Sequence, residues 1–203
     1  MEKRIGVFGG TFDPIHHGHL ILASELHHAL GLERVIFVPA RRPPHKTDQE
    51  LSGDRHRLAM VRLAIAADPR FEISLVEMER VGPSYSAETV EELGVALPGA
   101  TLVFLMGEDS LRDLPAWHQP ERIVAHAILG VAQRPDVKVD IAAITTVLPA
   151  AQGRIELVST PEIAISSSDI RQRVADGRPI AFHVPQPVER YIAEHDLYRQ
   201  TSG

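Results

Sequence analysis

The sequence predicts an α/β fold with a doubly wound parallel sheet, helices on both faces and a small helical extension at the C-terminus. Three observations support this prediction. Short apolar runs typical of buried strands alternate along the chain with segments whose apolar residues recur at helical spacing. Residues 101–106 are almost entirely apolar, as expected of a central strand covered on both faces. Small and polar residues follow two of the apolar runs, at the strand ends where open α/β sheets bind ligands.

A βαβ unit opens the chain. Residues 5–8 form an apolar run bounded by glycines, which predicts the first strand. Residues 34–39 are apolar and β-branched and predict the second strand. A helix between two strands at this spacing indicates that the strands pair in parallel. The apolar residues that recur at helical spacing between them are Leu20, Ala23, Leu26 and Leu30.

The same alternation continues to the end of the chain. Residues 40–53 predict a loop, and Ser84 or Ser86 is a plausible N-cap for the helix that follows the turn at 82–86. Residues 136–151 fit a helix or a strand equally well. The remaining predicted helices are 54–68, a segment ending at Leu93, 120–124, 167–175 and 187–195, and the remaining strands are 71–76, 101–106, 127–132 and 155–158.

Composition narrows the class of protein. The 203 residues predict a single domain over 1–203, with an α/β core over 1–160 and a C-terminal motif and helices over 161–203. The 21 Lys and Arg residues against 27 Asp and Glu give a net charge of −6, which argues against nucleic acid as a partner. The absence of cysteine excludes disulfides and fits a cytoplasmic location.

Membrane attachment is not expected either. No apolar run approaches the roughly 18 residues of a membrane-spanning helix. The opening Met-Glu-Lys-Arg leads directly into a predicted strand, without the pattern of a secretory signal. The chain is therefore expected to work without a membrane partner, as a monomer or a homo-oligomer.

Residues 9–19, Gly-Gly-Thr-Phe-Asp-Pro-Ile-His-His-Gly-His, connect the first strand to the first helix. The paired glycines let backbone amides approach an anion, and Gly18 lets the helix start pack tightly. His16 and His19 share a face of the first helical turn, where imidazoles, amides and the helix dipole favour phosphate. Neither the G-x-G-x-x-G nor the P-loop pattern occurs. A zinc cluster or simple helix-start caps are the alternative interpretations of the histidines.

These residues carry a resemblance to a known family. Residues 10–19 resemble the G-x-F-x-P-x-H-x-G-H signature of the HxGH nucleotidyltransferase superfamily, whose fold is Rossmann-like. Residues 165–171, Ile-Ser-Ser-Ser-Asp-Ile-Arg, resemble its C-terminal I-S-S-T-x-I-R motif, with serine in place of threonine. Within the superfamily, the chain is similar to the bacterial nicotinate-nucleotide adenylyltransferases over residues 5–198.

The resemblance implies a reaction. Nicotinate mononucleotide would attack the α-phosphorus of ATP directly, giving nicotinate adenine dinucleotide and pyrophosphate in NAD biosynthesis. The implied catalytic residues are His19, which donates to the α-phosphate, His16, which holds the outer phosphates, and Arg171. Mg²⁺ would be carried with ATP and held by its oxygens and water, and no protein metal site is expected.

The resemblance also implies two binding sites. The ATP site would comprise Gly9, Gly10, Thr11, Phe12, Gly18, Lys46, Asp109, Ser166, Ser167 and Ser168. The nicotinate mononucleotide site would comprise Tyr85, Ser86, Trp117 and Arg134. From residue type alone, some of these residues have structural alternatives, such as a helix cap for Ser166 or Asp109, a core anchor for Trp117 and a solvated loop around Lys46.

Two other functions stay open at this point. A pantetheine-phosphate adenylyltransferase is the nearest competing enzyme, although that family usually has threonine at the position of His16 and shorter chains. A nucleotide sensor without turnover would keep the binding residues but not the reaction. The sequence does not decide between a nicotinate acid and an amide as the acceptor.

Overall fold

A computed structural model describes residues 3–42, 51–133 and 139–199. Six strands form one sheet in the order β3-β2-β1-β4-β5-β6, and every neighbouring pair is parallel. This arrangement confirms the predicted doubly wound α/β class. The strands are β1 (Lys3–Gly10), β2 (Arg34–Pro39), β3 (Phe71–Ile73), β4 (Ala100–Gly107), β5 (Ala127–Gln133) and β6 (Ile155–Ser159).

The direction in which successive strands are added to the sheet reverses between β1 and β4. The chain winds outward from β1 to β2 and β3, then crosses to β4 and winds the other way to β5 and β6. Since the connections leave in opposite directions, a crevice opens at the carboxyl ends of β1 and β4. Gly10 ends β1 and Gly107 ends β4, so both residues lie at this crevice.

Helices cover both faces of the sheet. On one face, α1 packs with α2, α8 and α9 around the aromatic residues Phe12 and Phe37. On the other face, α4, α6 and α7 pack against the apolar side chains of β4 and β5. The α-helices in the described residues are α1 (His17–Ala29), α2 (Asp54–Ile65), α3 (Val76–Glu79), α4 (Ser86–Ala96), α5 (Glu108–Asp113), α6 (Pro120–His126), α7 (Ile141–Val147), α8 (Ser167–Ala175) and α9 (Gln186–Glu194).

The C-terminal segment joins the same core as the N-terminal helices. Ile170 of α8 and Val188 and Ile192 of α9 are buried in one cluster with Phe12 and Met60. The C-terminal helices therefore pack beside the turn between β1 and α1. The single-domain organisation over residues 1–203 stays a prediction.

Two local predictions were wrong. The third strand ends at Ile73, and Val76 begins α3, because the segment buries Glu77 rather than continuing the β3 ladder. The residue at the N-cap of α4 is Tyr85, and no side chain caps this helix. The Ser84 hydroxyl instead accepts hydrogen bonds from the backbone N–H groups of Arg41 and Arg42, at 3.0 and 3.2 Å.

Two segments that the sequence left undefined are helical. Residues 141–147 form α7, and the side chain of Asp140 caps it by accepting a hydrogen bond from the Ala143 amide at 3.0 Å. Residues 108–113, which begin in the small and polar residues after the fourth strand and had no predicted secondary structure, form α5. Along the described ranges, no helix combines the length and the apolar character needed to cross a bilayer.

Candidate active site

The turn between β1 and α1 carries both candidate catalytic histidines. His16 is the N-cap residue of α1 and has an extended backbone, whereas His19 lies in the first helical turn. Their rings stack, with centroids 3.7 Å apart and an interplanar angle of 28°. The first turn of α1 contains no acidic residue, so the helix dipole and its amide groups favour an anion at this end.

His16 is buried and electrically neutral near pH 7. Only 6% of its surface is exposed, and its Nδ1 has no hydrogen-bond partner among the described residues. Burial, followed by the charge of His17, lowers the pKa of His16 to about 4. Gly18 leaves room for this ring, because a β-carbon at residue 18 would lie 3.0 Å from the Cε1 and Nδ1 atoms of His16.

His19 has a defined orientation. Its Nδ1 accepts a hydrogen bond from the backbone N–H of His16 at 3.3 Å, which places the proton of a neutral ring on Nε2. Its ring also packs edge-to-face against Phe12, at a centroid distance of 5.1 Å. These contacts, together with the stacked ring of His16, hold the imidazole in one position at the helix start.

Phe12 forms the floor of this turn. It adopts a left-handed backbone conformation with φ of 50°, which turns its buried side chain back towards Phe8 and Phe37. A β-carbon on Gly10 would lie 2.8 Å from the Phe12 ring. Gly10 is therefore required by the close approach of Phe12, an intramolecular reason that the sequence interpretation did not include.

The lowered pKa of His16 gives a prediction about stability. In the unfolded chain His16 takes up a proton near pH 6.5, whereas in the folded protein it does so only near pH 4. Between these values the unfolded state binds more protons, so the free energy of unfolding falls as pH falls, by at most about 3 kcal/mol from this group. The measurement is urea unfolding at pH 7 and pH 4 of the wild type and of His16→Asn.

Comparison with His16→Asn corrects for the carboxylates that titrate in the same pH range, because both proteins contain them. Because asparagine does not take up a proton in this pH range, His16→Asn should lose less stability between pH 7 and pH 4 than the wild type. Equal losses in the two proteins would contradict a buried, neutral His16.

Two cavities flank the crevice, and both are lined by Gly107 at the end of β4. The first cavity has a volume of about 210 Å³ and lies beside α3 and α4. Six residues predicted from the sequence line this cavity: Gly9, Gly10, Thr11, Tyr85, Ser86 and Trp117. The three N-terminal residues of this set, predicted for ATP, thus lie beside those predicted for nicotinate mononucleotide.

Aromatic side chains form part of the wall of the first cavity. Tyr85 stacks on His118, with centroids 4.1 Å apart and an interplanar angle of 28°. Trp117 contacts Phe104 edge-to-face at 6.2 Å and also packs on the core cluster, so it serves as a core anchor and lines the cavity. A flat heteroaromatic ring is the ligand that such a wall favours.

A buried carboxyl group also lines the first cavity. Glu77 accepts a hydrogen bond from the Thr89 hydroxyl at 2.6 Å, and Ser84 makes a second hydrogen bond to it. Burial raises the pKa of Glu77, and these two hydrogen bonds oppose the rise. Because Ser84 also binds the Arg41 and Arg42 amides, Glu77 helps to fix the segment that presents Tyr85.

The second cavity contains the histidines. It has a volume of about 180 Å³ and brings His16, Gly18 and His19 together with Asp109. Asp109 is exposed at the start of α5 and pairs with Arg112 at 3.3 Å. A cavity at a helix N-terminus that is lined by two imidazoles is suited to a phosphate-bearing ligand.

The C-terminal motif is attached to the histidine turn. The Ser166 side chain caps α8 by accepting from the Asp169 amide at 3.1 Å, which confirms the helix-cap interpretation. The Ser167 hydroxyl donates to the Pro14 carbonyl at 2.9 Å, and Arg171 Nη1 donates to the Asp13 carbonyl at 2.7 Å. Ser168 is exposed, and its hydroxyl accepts from Arg171 Nη2 at 3.4 Å.

Lys46 and Arg134, both predicted as binding residues, lie outside the described residues. Within the described ranges, no group of three or more His, Asp or Glu side chains is arranged to hold a metal ion. The structure also adds residues that the sequence interpretation missed: Glu77 and His118 at the first cavity, and the buried Arg57, which donates to the Thr11 carbonyl at 3.0 Å.

Comparison with known proteins agrees with this architecture. The model of the cytidylyltransferase-like family matches residues 7–173. A relative from Thermomicrobium roseum, named "Probable nicotinate-nucleotide adenylyltransferase", is 54% identical and covers 97% of this chain and 92% of its own. A relative of the same name from Roseiflexus sp. strain RS-1 is 44% identical and covers 96% of this chain and 98% of its own.

A solved structure shares the fold at lower identity. It is titled Plasmodium falciparum nicotinic acid mononucleotide adenylyltransferase complexed with NaAD, and it superposes with a TM-score of 0.77 at 22% identity, covering 97% of each chain. The sheet order, the turn with its two histidines and the identity to full-length relatives all point to one assignment. The chain belongs to the cytidylyltransferase-like family and, within it, to the nicotinate-nucleotide adenylyltransferases.

Proposed function

We propose that this protein transfers the adenylyl group of ATP to nicotinate mononucleotide, giving nicotinate adenine dinucleotide and pyrophosphate. The observation that carries the proposal is a pair of cavities that share Gly107 as a lining residue, one lined by Tyr85 and Trp117 and the other by His16 and His19. Two ligands held on either side of the end of β4 would meet there, which is the geometry a direct transfer needs.

The second cavity is assigned to ATP. His19 donates from Nε2 to the α-phosphate as negative charge grows during the transfer, and His16 holds the outer phosphates as a neutral donor. Asp109 and Gly18 also line the cavity, and the Asp109 carboxyl group can accept hydrogen bonds from hydroxyl groups. The serines at 166–168 support this site from the start of α8, and Arg171 acts on the same turn through its bond to Asp13.

The first cavity is assigned to nicotinate mononucleotide. Trp117 and Tyr85 offer aromatic surfaces to the pyridine ring, and the amide groups at Tyr85 and Ser86 lie at the start of α4, where they can receive a carboxylate. Gly9, Gly10 and Thr11, which were predicted for ATP, also line this cavity. Lys46 keeps its predicted place in the ATP site, and Arg134 keeps its predicted place in the nicotinate mononucleotide site.

The chemistry requires positioning more than proton transfer. An oxygen of the nicotinate mononucleotide phosphate, already ionised near pH 7, attacks the α-phosphorus of ATP while the bond to the bridging oxygen breaks. Pyrophosphate leaves with the electron pair of that bond, so no general base and no covalent enzyme intermediate are needed. The protein supplies donors that are already oriented toward the phosphorus centre, and these lower the barrier.

Mg²⁺ is expected to arrive with ATP. Among the described residues, Glu108 and Asp109 line the second cavity, but no group of three or more His, Asp or Glu side chains is arranged there to hold a metal ion, so triphosphate oxygens and water would supply ligands. Mg²⁺ would neutralise charge on the outer phosphates. The cytoplasmic location stays a prediction.

The test is pyrophosphate release from ATP with a panel of acceptors. We expect turnover with nicotinate mononucleotide and at least about tenfold lower kcat/KM with pantetheine phosphate, because the aromatic cavity is suited to a ring. Nicotinamide mononucleotide belongs in the panel, since it differs only in carrying a neutral carboxamide where nicotinate mononucleotide has a carboxylate. Release with pantetheine phosphate alone would favour the other adenylyltransferase, and no release with any acceptor would favour a sensor.

A further inference from the structure

Asp13 is a buried carboxylate in the middle of the turn that carries the histidines. It is 2% exposed, and two donors from distant segments reach it. The Tyr198 hydroxyl donates to Oδ1 at 2.6 Å, and the backbone N–H of Ser52 donates to Oδ2 at 3.0 Å. A buried carboxylate with two good hydrogen bonds holds its position firmly, because losing either donor is costly.

The C-terminal segment contacts the same turn at further points. Arg171 donates to the carbonyl of Asp13, and Ser167 donates to that of Pro14. The backbone N–H of His17 donates to the His183 carbonyl at 2.9 Å. The turn is therefore held from one side by residues that follow β6, and Tyr198 is the last of these along the chain.

The backbone near Tyr198 is unusual. Asp196 and Tyr198 have φ of 49° and 64°, in the left-handed region that bulky side chains rarely adopt. Burial and the charge of Asp13 raise the pKa of Tyr198, so its hydroxyl stays protonated and keeps donating. A disfavoured backbone that places one hydroxyl on one buried carboxylate indicates a specific role for that contact.

We infer that Tyr198 is a positioning residue, which fixes the Asp13 carboxylate and thereby the turn that holds His16 and His19 in place. Asp13 precedes His16 by only three residues, and the intervening backbone is bonded to Ser167 at Pro14. A shift of Asp13 would therefore be transmitted to the N-cap of α1. This inference rests on the proposed function for its kinetic consequence.

The test compares two tyrosine-to-phenylalanine variants. Tyr198→Phe removes only the hydroxyl that Asp13 accepts from. Tyr191→Phe is the matched control, because it removes another C-terminal hydroxyl, bonded to His56 Nδ1 of α2 at 3.0 Å and not to the histidine turn. Both variants keep the aromatic ring and its packing.

We expect kcat of Tyr198→Phe to fall about tenfold, with KM for nicotinate mononucleotide within about twofold of the wild type, since small misplacements of a catalytic group act mainly on turnover. Tyr191→Phe should keep the wild-type kcat even if both variants unfold at a lower temperature. Equal kcat values for the two variants would overturn the inference.

A second readout does not require turnover. The imidazole NMR signals of His16 and His19, recorded without substrate, should move in Tyr198→Phe and stay in place in Tyr191→Phe. Unchanged signals in Tyr198→Phe would also overturn the inference. If the wild type shows no turnover with nicotinate mononucleotide, the proposed function fails, while the NMR comparison still decides whether Tyr198 positions the turn.

Discussion

His19→Ala is expected to lower turnover with ATP and nicotinate mononucleotide by about 10²- to 10³-fold, the cost of removing one preoriented donor to a developing charge. The ring is held for this task by the His16 amide on Nδ1 and by the edge of Phe12. Alanine keeps helix α1, so the substitution removes the donor without removing the turn. Steady-state pyrophosphate release measures the effect.

The control for His19→Ala lies on the same helix. His28 is exposed in the last turn of α1, so His28→Ala removes an imidazole of equal size far from the second cavity. It should keep wild-type turnover, and both variants should show cooperative thermal unfolding. Turnover of His19→Ala near that of His28→Ala would remove His19 from the proposed mechanism.

The strands were predictable because their signal is local. Residues 34–39 were predicted as a strand and form β2 with these bounds, since a buried strand needs a continuous β-branched and apolar run. The start of α8 at Ser167 was predicted in the same way, and the Ser166 cap was the structural alternative to its predicted role in ATP binding.

Other elements depend on partners that sequence periodicity does not reveal. Val76 is β-branched, which favours a strand. It begins α3 instead, because this helix buries Glu77, where the carboxyl group forms hydrogen bonds with Thr89 and Ser84. Residues 141–147 mix helix-favouring alanines with β-branched residues, so intrinsic propensity did not distinguish a helix from a strand. Packing of Ile144 against the core stabilises the helix α7.

In the candidate site, too, some features follow from local sequence and others depend on residues far away in the chain. The pairing of His16 with His19 was predictable, because a spacing of three residues places two side chains on one helical face. The hydrogen bond between Tyr198 and Asp13 joins residues 185 positions apart, and no local sequence pattern predicts it. The first cavity also brings Gly9, Gly10 and Thr11 together with Trp117. This arrangement depends on the pairing of β1 with β4, which local sequence does not show.

Arg57 is the clearest residue that sequence reasoning did not identify. It lies on α2 with no exposed surface, and a charged residue buried this fully is rare unless it is paired. Its guanidinium donates to the carbonyls of Thr11, Ala40, Arg41 and Ser52 and pairs with Asp54. One side chain therefore ties the turn after β1 to the segment after β2.

Arg57→Met is expected to lower the free energy of unfolding by about 3 kcal/mol, because methionine keeps the volume but leaves several carbonyl groups without a donor, at about 1–3 kcal/mol for each that stays buried. For a chain of this size the same loss lowers the midpoint of thermal unfolding by roughly 10 °C. Urea unfolding and thermal unfolding measure the two quantities.

Arg55→Met provides the control, because Arg55 lies on the same helix but is exposed, and its replacement removes the same positive charge. It should change the free energy of unfolding by no more than about 0.5 kcal/mol, as surface substitutions usually do. The difference between the two variants then isolates the buried hydrogen bonds of Arg57 from any effect of net charge. If both variants lose the same stability, the carbonyl groups around Arg57 do not depend on it, and the link between the two segments has another origin.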